Sequence, residues 1–213
     1  CSSDLMGMTH TDFHVIESHA LVIVISGPSG VGKDSVLNRM RDRDLPFHFV
    51  ITATTRPIRE GEVNGKDYFF ISTDEFAHMI ESNELLEHAI VYNDYKGIPK
   101  QQVRDALASG KDVILRIDVQ GAATIKKIIP DAILLFLTTE DEKSLVDRLQ
   151  ARRTEHSEGL KLRIATARQE VKRAVEFDYV VINYQDELDK TVDVISAIII
   201  AEHHKIIQRN IQL

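Results

Sequence analysis

Five consecutive apolar residues, Leu21, Val22, Ile23, Val24 and Ile25, stand between a polar leader and a stretch of glycine, serine and proline. A run so short, and so rich in β-branched side chains, reads as a strand covered on both faces. Residues 49–51, 113–117, 132–137 and 179–182 read the same way. A short helical pattern (Val36, Leu37, Met40) follows the first strand, and apolar positions recur at helical spacing over 119–129, 141–151, 160–176 and 187–209. Strands alternating with helices predict an α/β fold: a parallel sheet flanked by helices.

Two segments break the alternation. Residues 52–105 are polar, carry Gly61, Gly65 and Gly97, and hold short strand candidates at 68–71 and 85–92, which predicts a small inserted α+β unit. Residues 146–168 gather Arg148, Arg152, Arg153, Arg163 and Arg168 around a polar turn at 154–159, which predicts a mobile, arginine-rich flap, with 143–168 as its full extent. The core is then 20–51, 106–142 and 169–213, and residues 1–19 form a flexible extension. His10 and His14 in that extension could share a helix face, but no further ligand is placed to complete a metal site, so a solvated tail is expected.

Composition narrows the choices. Of 213 residues, 43% are hydrophobic, enough for a real core, so disorder is excluded as the main state. Lys and Arg number 26 against 33 Asp and Glu, a net charge of −7, which argues against a nucleic-acid-coating protein while leaving room for a local anion site. No apolar run is long enough to span a membrane. The single cysteine, Cys1, excludes an internal disulfide framework and a Cys-rich zinc site. The chain opens Cys-Ser-Ser without Met, and residues 1–19 lack Lys and Arg, so a processed precursor is expected rather than an intact targeting peptide.

The candidate chemistry begins after the first strand. Gly27, Pro28, Ser29, Gly30, Val31, Gly32 and Lys33 form a phosphate-binding loop in the required setting, behind a strand and ahead of a helix. Its glycines let successive N–H groups turn inward around phosphate oxygens, the helix N-terminus adds its dipole, and Lys33 supplies a point charge. The next residue should be Ser or Thr, whose hydroxyl binds Mg2+; here it is Asp34, followed by Ser35. A carboxylate can hold Mg2+ directly or through water, and Asp34 is expected to do so.

A second array follows: Thr54, Thr55, Arg56, Arg59, Glu62, Gly65, Tyr68 and Phe70. Two arginines three apart on a loop make a bidentate trap for a phosphate. Downstream, Glu87 and Asp118 are acceptor-only groups that select a ring offering donors. Guanine presents N1–H and a 2-amino group there, and adenine neither.

The spacing Thr-Thr-Arg-x-x-Arg-x-x-Glu-x-x-Gly-x-x-Tyr-x-Phe from Thr54 to Phe70 resembles the signature of guanylate kinase. The Ile-Asp-Val-Gln-Gly run at 117–121, the Arg148 to Arg152 segment and the Phe-Asp-Tyr-Val-Val-Ile-Asn run at 177–183 resemble that family in order and spacing, so the likeness covers about residues 20–205. It implies a P-loop NTPase-type core, a GMP-binding insertion and a lid. It implies phosphoryl transfer from ATP, with Mg2+, to GMP or dGMP. Residues 27–35 and Asn183 fall on ATP-binding positions; Thr52, Arg56, Arg59, Tyr68, Glu87 and Asp118 fall on GMP-contacting ones. Lys33, Arg59 and the lid arginines Arg152 and Arg163 fall on catalytic positions. Two further departures stand out. Lys96-Gly97-Ile98 replaces a Tyr-Gly-Ser/Thr step, so Lys96 or Tyr95 is expected to take over from the lost phenol. Arg116 stands where the family usually has Asp. With Asp34 and the Ile-rich C-terminal helix, these resemble the plant plastid/mitochondrial branch, which implies an organellar protein, with cytoplasm as the alternative. A monomer acting on ATP and GMP, without nucleic acid or membrane partners, is expected. The rivals are a guanylate-kinase-like phosphopeptide-binding module without turnover and a kinase for another nucleoside monophosphate.

Overall fold

The computed structural model describes residues 19–91, 93–151 and 157–213. The N-terminal extension, but for its last residue, and the expected lid residues Arg152 and Arg153 lie outside the described residues.

From the N-terminus, β1 (Val22–Ser26) turns through the glycine loop into α1 (Lys33–Asp42) and β2 (His48–Phe49). The insertion then runs β3 (Ala53–Thr54), β4 (Phe69–Phe70), α2 (Thr73–Glu81), β5 (Leu85–Val91) and β6 (Asp94–Pro99). The helix α3 (Lys100–Ala108) returns the chain to β7 (Val113–Arg116), α4 (Val119–Ile128) and β8 (Ile133–Thr138). Two helices, α5 (Glu142–Ala151) and α6 (Ser157–Lys172), a tight 3-10 turn at Arg173–Glu176, β9 (Tyr179–Ile182) and α7 (Leu188–His203) complete it.

The core sheet has the order β2-β7-β1-β8-β9, every pairing parallel. Its centre is β1, whose residues are all buried because both faces are covered. Ile23 and Ile25 point into one layer with Val36, Leu37 and Met40 of α1 and Val192 and Ile195 of α7. Val22 and Val24 point into the other, with Val103 of α3 and Ala122 and Ile125 of α4. Unbroken apolarity in the sequence is therefore two interleaved faces. The insertion folds on a second sheet, order β4-β3-β6-β5, over a small core of Ala53, Phe76 and Leu85. Ser72 and Glu75 start α2 with a reciprocal capping box.

The helical pattern expected over 187–209 ends at His203, and the reason is a buried charge. Glu202 is fully buried and accepts hydrogen bonds from Tyr179, from Lys205 Nζ at 2.7 Å and from Arg209 Nε at 2.7 Å. To reach it, Arg209 folds back, and its neighbour Asn210 donates its N–H to Asp131 at 3.1 Å. A continued helix would carry Arg209 away. The strand expected at 49–51 also shortens, to His48–Phe49, although Val50 N–H still bonds Ile114 O at 3.1 Å.

Burial pushes the Glu202 carboxyl up, but the bonds from Arg209, Lys205 and Tyr179 outweigh it and hold the group at about 2. Its stabilisation is therefore present above the ordinary carboxylate range and is lost as pH falls toward about 2. Glu202→Ala should cost about 3 kcal/mol in urea unfolding at neutral pH, since it strands the tail's cations, and the difference from the parent should shrink on acidification.

Candidate active site

The phosphate loop is shaped by backbone contacts. Gly27 leaves β1 at φ 139°, where an added Cβ would stand 2.1 Å from the carbonyl oxygen of Leu137 on β8. Gly30 and Gly32 take positive φ as well, at 91° and 95°, which turns the loop around its own N–H groups before α1 begins. Lys33 bends over this ring, and its Nζ donates to Gly27 O at 2.5 Å and Pro28 O at 3.0 Å. Burial brings its ammonium down to about 8, against the opposing pull of Glu170 and Asp34.

Asn183, expected near the nucleotide base, braces the loop from behind. Its amide N–H donates to Val31 O at 2.8 Å and its carbonyl oxygen accepts from Thr191 Oγ1 at 3.0 Å. Arg148 of α5 ties the same two places together, donating to Val31 O at 3.3 Å and Asn183 O at 2.8 Å.

Across the cleft, the insertion presents its own array. Arg56 is buried and grips Glu62 through both terminal nitrogens, at 2.7 and 2.5 Å, while its guanidinium lies over the rings of Tyr68 and Phe70. Glu62 also accepts the N–H of Arg59 at 2.8 Å, so one carboxylate holds the loop that carries both arginines. Lys96 and Arg59 line the cleft with them. Tyr95, the other candidate for the lost phenol, does not: its ring packs on Phe76, 5.2 Å between centroids, in the insertion's core.

The far end of the cleft is acidic. Glu87 is buried, and burial, with the Asp118 charge beside it, raises its carboxyl to about 7. Asp118 caps α4, accepting Gly121 N–H at 2.8 Å. The Gly121 backbone also passes so close to Glu87 that a Cβ there would stand 3.0 Å from Oε1. Thr52 also lines the cleft: its hydroxyl is buried and has no hydrogen-bond partner among the described residues.

One cleft thus joins Gly27, Lys33 and Asp34 of the core to Thr52, Arg56, Arg59, Tyr68, Glu87 and Lys96 of the insertion, with Asp118 and Arg163 at its walls. Ser35 is exposed on α1 and is not among the lining residues. Asp34 accepts a hydrogen bond from Arg116 at the end of β7. Several lining residues had no sequence motif to announce them, Arg116 and Glu170 among them. Arg116 was visible only as a departure, and Glu170 lies on α6, where helix packing turns it toward Lys33 and the N–H of Ser29. Among the described residues no group of three His, Cys, Asp or Glu could cage a metal. That fits Mg2+, which keeps waters and substrate oxygens and needs only one or two carboxylates; Asp34 and Glu170 offer hard oxygens beside the loop.

A family model described as guanylate kinase matches residues 19–202. A rice (Oryza sativa subsp. japonica) protein named guanylate kinase 2, chloroplastic/mitochondrial, is 52% identical over 194 residues, covering 91% of this chain and 68% of the rice protein. A guanylate kinase of Halalkalibacterium halodurans is 43% identical, over 87% of this chain and 90% of its own. The crystal structure of guanylate kinase from Anaplasma phagocytophilum superposes with a TM-score of 0.74 at 28% identity, covering 89% of each chain.

Gly121→Ala tests the contact between α4 and Glu87. Alanine favours the helix by about 1 kcal/mol over glycine, so thermal stability should hold, whereas crowding Glu87 by an overpacked methyl should weaken purine nucleotide binding about tenfold. Calorimetric titration beside a melting curve separates the two effects.

Proposed function

We infer the reaction from one premise: the chain belongs to the guanylate kinase family. It transfers the γ-phosphoryl group of ATP to GMP, or to dGMP, giving ADP and GDP in purine nucleotide metabolism. The observation that carries this reading is the single cleft with a phosphate loop on one wall and, on the other, basic groups beside a buried carboxylate. Glu87 and Asp118 can accept from guanine N1–H and the 2-amino group, and the unpartnered Thr52 hydroxyl supplies another polar contact. Adenine would leave such a buried carboxylate unpaired, at about 1–3 kcal/mol.

The loop N–H groups and Lys33 hold the ATP phosphates, Lys33 exchanging its bonds to Gly27 and Pro28 for phosphate oxygens. Asp34 is the side chain that would hold Mg2+ bound with ATP, which would supply neutralisation of phosphate charge there. Arg56, Arg59, Tyr68 and Lys96 hold the acceptor phosphate, which is itself the nucleophile and needs no strong base. Residues 52–105 act as the GMP-binding unit and 143–168 as the lid. Its Arg163, which already lines the cleft, and Arg152 cover the charge that develops during transfer. Closure excludes water and limits hydrolysis of ATP. The chain works as a monomer. Its place is a plastid or mitochondrion, by likeness to the rice protein's name. Among the described residues no helix is long and apolar enough to cross a membrane.

ADP release assayed with GMP, dGMP, AMP, CMP and UMP should respond to the two guanine nucleotides alone; phosphopeptide binding without turnover would replace this reading. Arg59→Ala should lower turnover with GMP about 100-fold while ATP still binds. Because the ionised form of Glu87 accepts the guanine hydrogen bonds, affinity should rise with pH through about 7 and flatten above it. Guanosine, which lacks a titrating phosphate, isolates this effect in a calorimetric series. Glu87→Gln should abolish the slope.

A further inference from the structure

Arg116 ends β7 between the two halves of the cleft and touches both. Its NH1 donates to Asp34 on the first turn of α1. Its NH2 donates to Asp67 O in the insertion at 3.3 Å. Its guanidinium lies 4.4 Å from the centroid of the Tyr68 ring. Arg56 lies over the same ring at 4.7 Å and Lys96 at 5.8 Å, so three cations surround one aromatic group.

These charges are unevenly answered. Glu62 pairs with Arg56 and Asp34 with Arg116, but Lys96 makes no ion pair among the described residues. Burial lowers the Lys96 ammonium, and Arg116 and Arg56 lower it further. Desolvated cations kept this close are costly unless an anion enters among them. Guanidinium has five donors in a planar fork, and two contacts leave Arg116 able to give more.

An acid directly after the loop lysine and an arginine at the end of the neighbouring strand are the two halves of one bond. We propose that Arg116 is a ligand of the acceptor's phosphate, alongside Arg56, Arg59 and Lys96, and that Asp34 positions it. Asp34 thereby links the donor-side helix to the acceptor subsite. The proposal rests on GMP being the acceptor.

Calorimetric titration of GMP and of guanosine, in EDTA and without ATP, tests it, because any metal role of Asp34 is then silent. Arg116→Ala should weaken GMP about 10- to 100-fold and guanosine less than about twofold, since the lost bonds are to a charged group. Arg116→Lys, which keeps the charge and loses the fork, should fall between. Asp34→Asn should weaken GMP by several-fold in the parent and by nothing further in the Arg116→Ala background. Equal losses for GMP and guanosine, or undiminished GMP binding in both Arg116 variants, would overturn the assignment. A parent protein that binds neither guanine ligand would overturn the GMP reading itself, and this one with it.

Discussion

At Gly27 the chain leaves the central strand with no room for a side chain. A Cβ there would lie 2.1 Å from the Leu137 carbonyl oxygen, so the first residue of the loop is pressed onto the backbone of β8. Everything downstream takes its direction from that contact. The loop curls above the C-terminal ends of β1 and β8, α1 starts from Gly32, and Lys33 is brought over the ring of amides. Asn183 and Arg148 lock the outer side of the loop through Val31 O. These braces come from β9's end and from α5, elements far away in sequence, and they keep the amides preorganised rather than let them find their geometry at each turnover.

The cleft above the loop sorts charge by position. Arg56, Lys96 and Arg116 gather around the Tyr68 ring, and the buried Glu87 stands beside Asp118. Neither group is comfortable alone: Lys33 and Lys96 are depressed by burial, and Glu87 is raised by it. A protein that stores such unfavourable burial gains when ligands of opposite charge or matching donors arrive, and that differential is what gives a site its selectivity. Glu62 serves as an internal counter-ion for Arg56, holding it ready while keeping it near the exposed Arg59.

Much of this was legible from residue order. The apolar runs at 21–25, 113–117 and 132–137 became the centre of the core sheet because doubly covered strands need unbroken apolarity, whereas the edge strands are covered only in part, β2 half-buried and β9 with Val180 and Ile182 exposed, and the phosphate loop stood in its strand–helix setting. The array from Thr54 to Phe70 placed Arg56, Arg59 and Tyr68 on one cleft wall, and Lys96 rather than Tyr95 proved to face it. What could not be read were contacts with no local signal. Asn183 braces the loop through Val31 and Thr191, and α7 stops at His203 because Glu202 calls Arg209 back. Glu170 enters the cleft only through helix packing.

The order of residues alone determined the alternation of strands and helices, the loop that can wrap a phosphate, and the presence of arginines and carboxylates at the spacing of a second subsite. Those properties depend on backbone preference and on neighbours within a few positions, so they are local. Tertiary structure decided which charges meet: Arg116 pairs with Asp34 and Arg56 with Glu62, while Glu87 is set against the like charge of Asp118. Electrostatic energy depends on distance and burial in space, and neither is a property of the chain until the sheet has closed around β1.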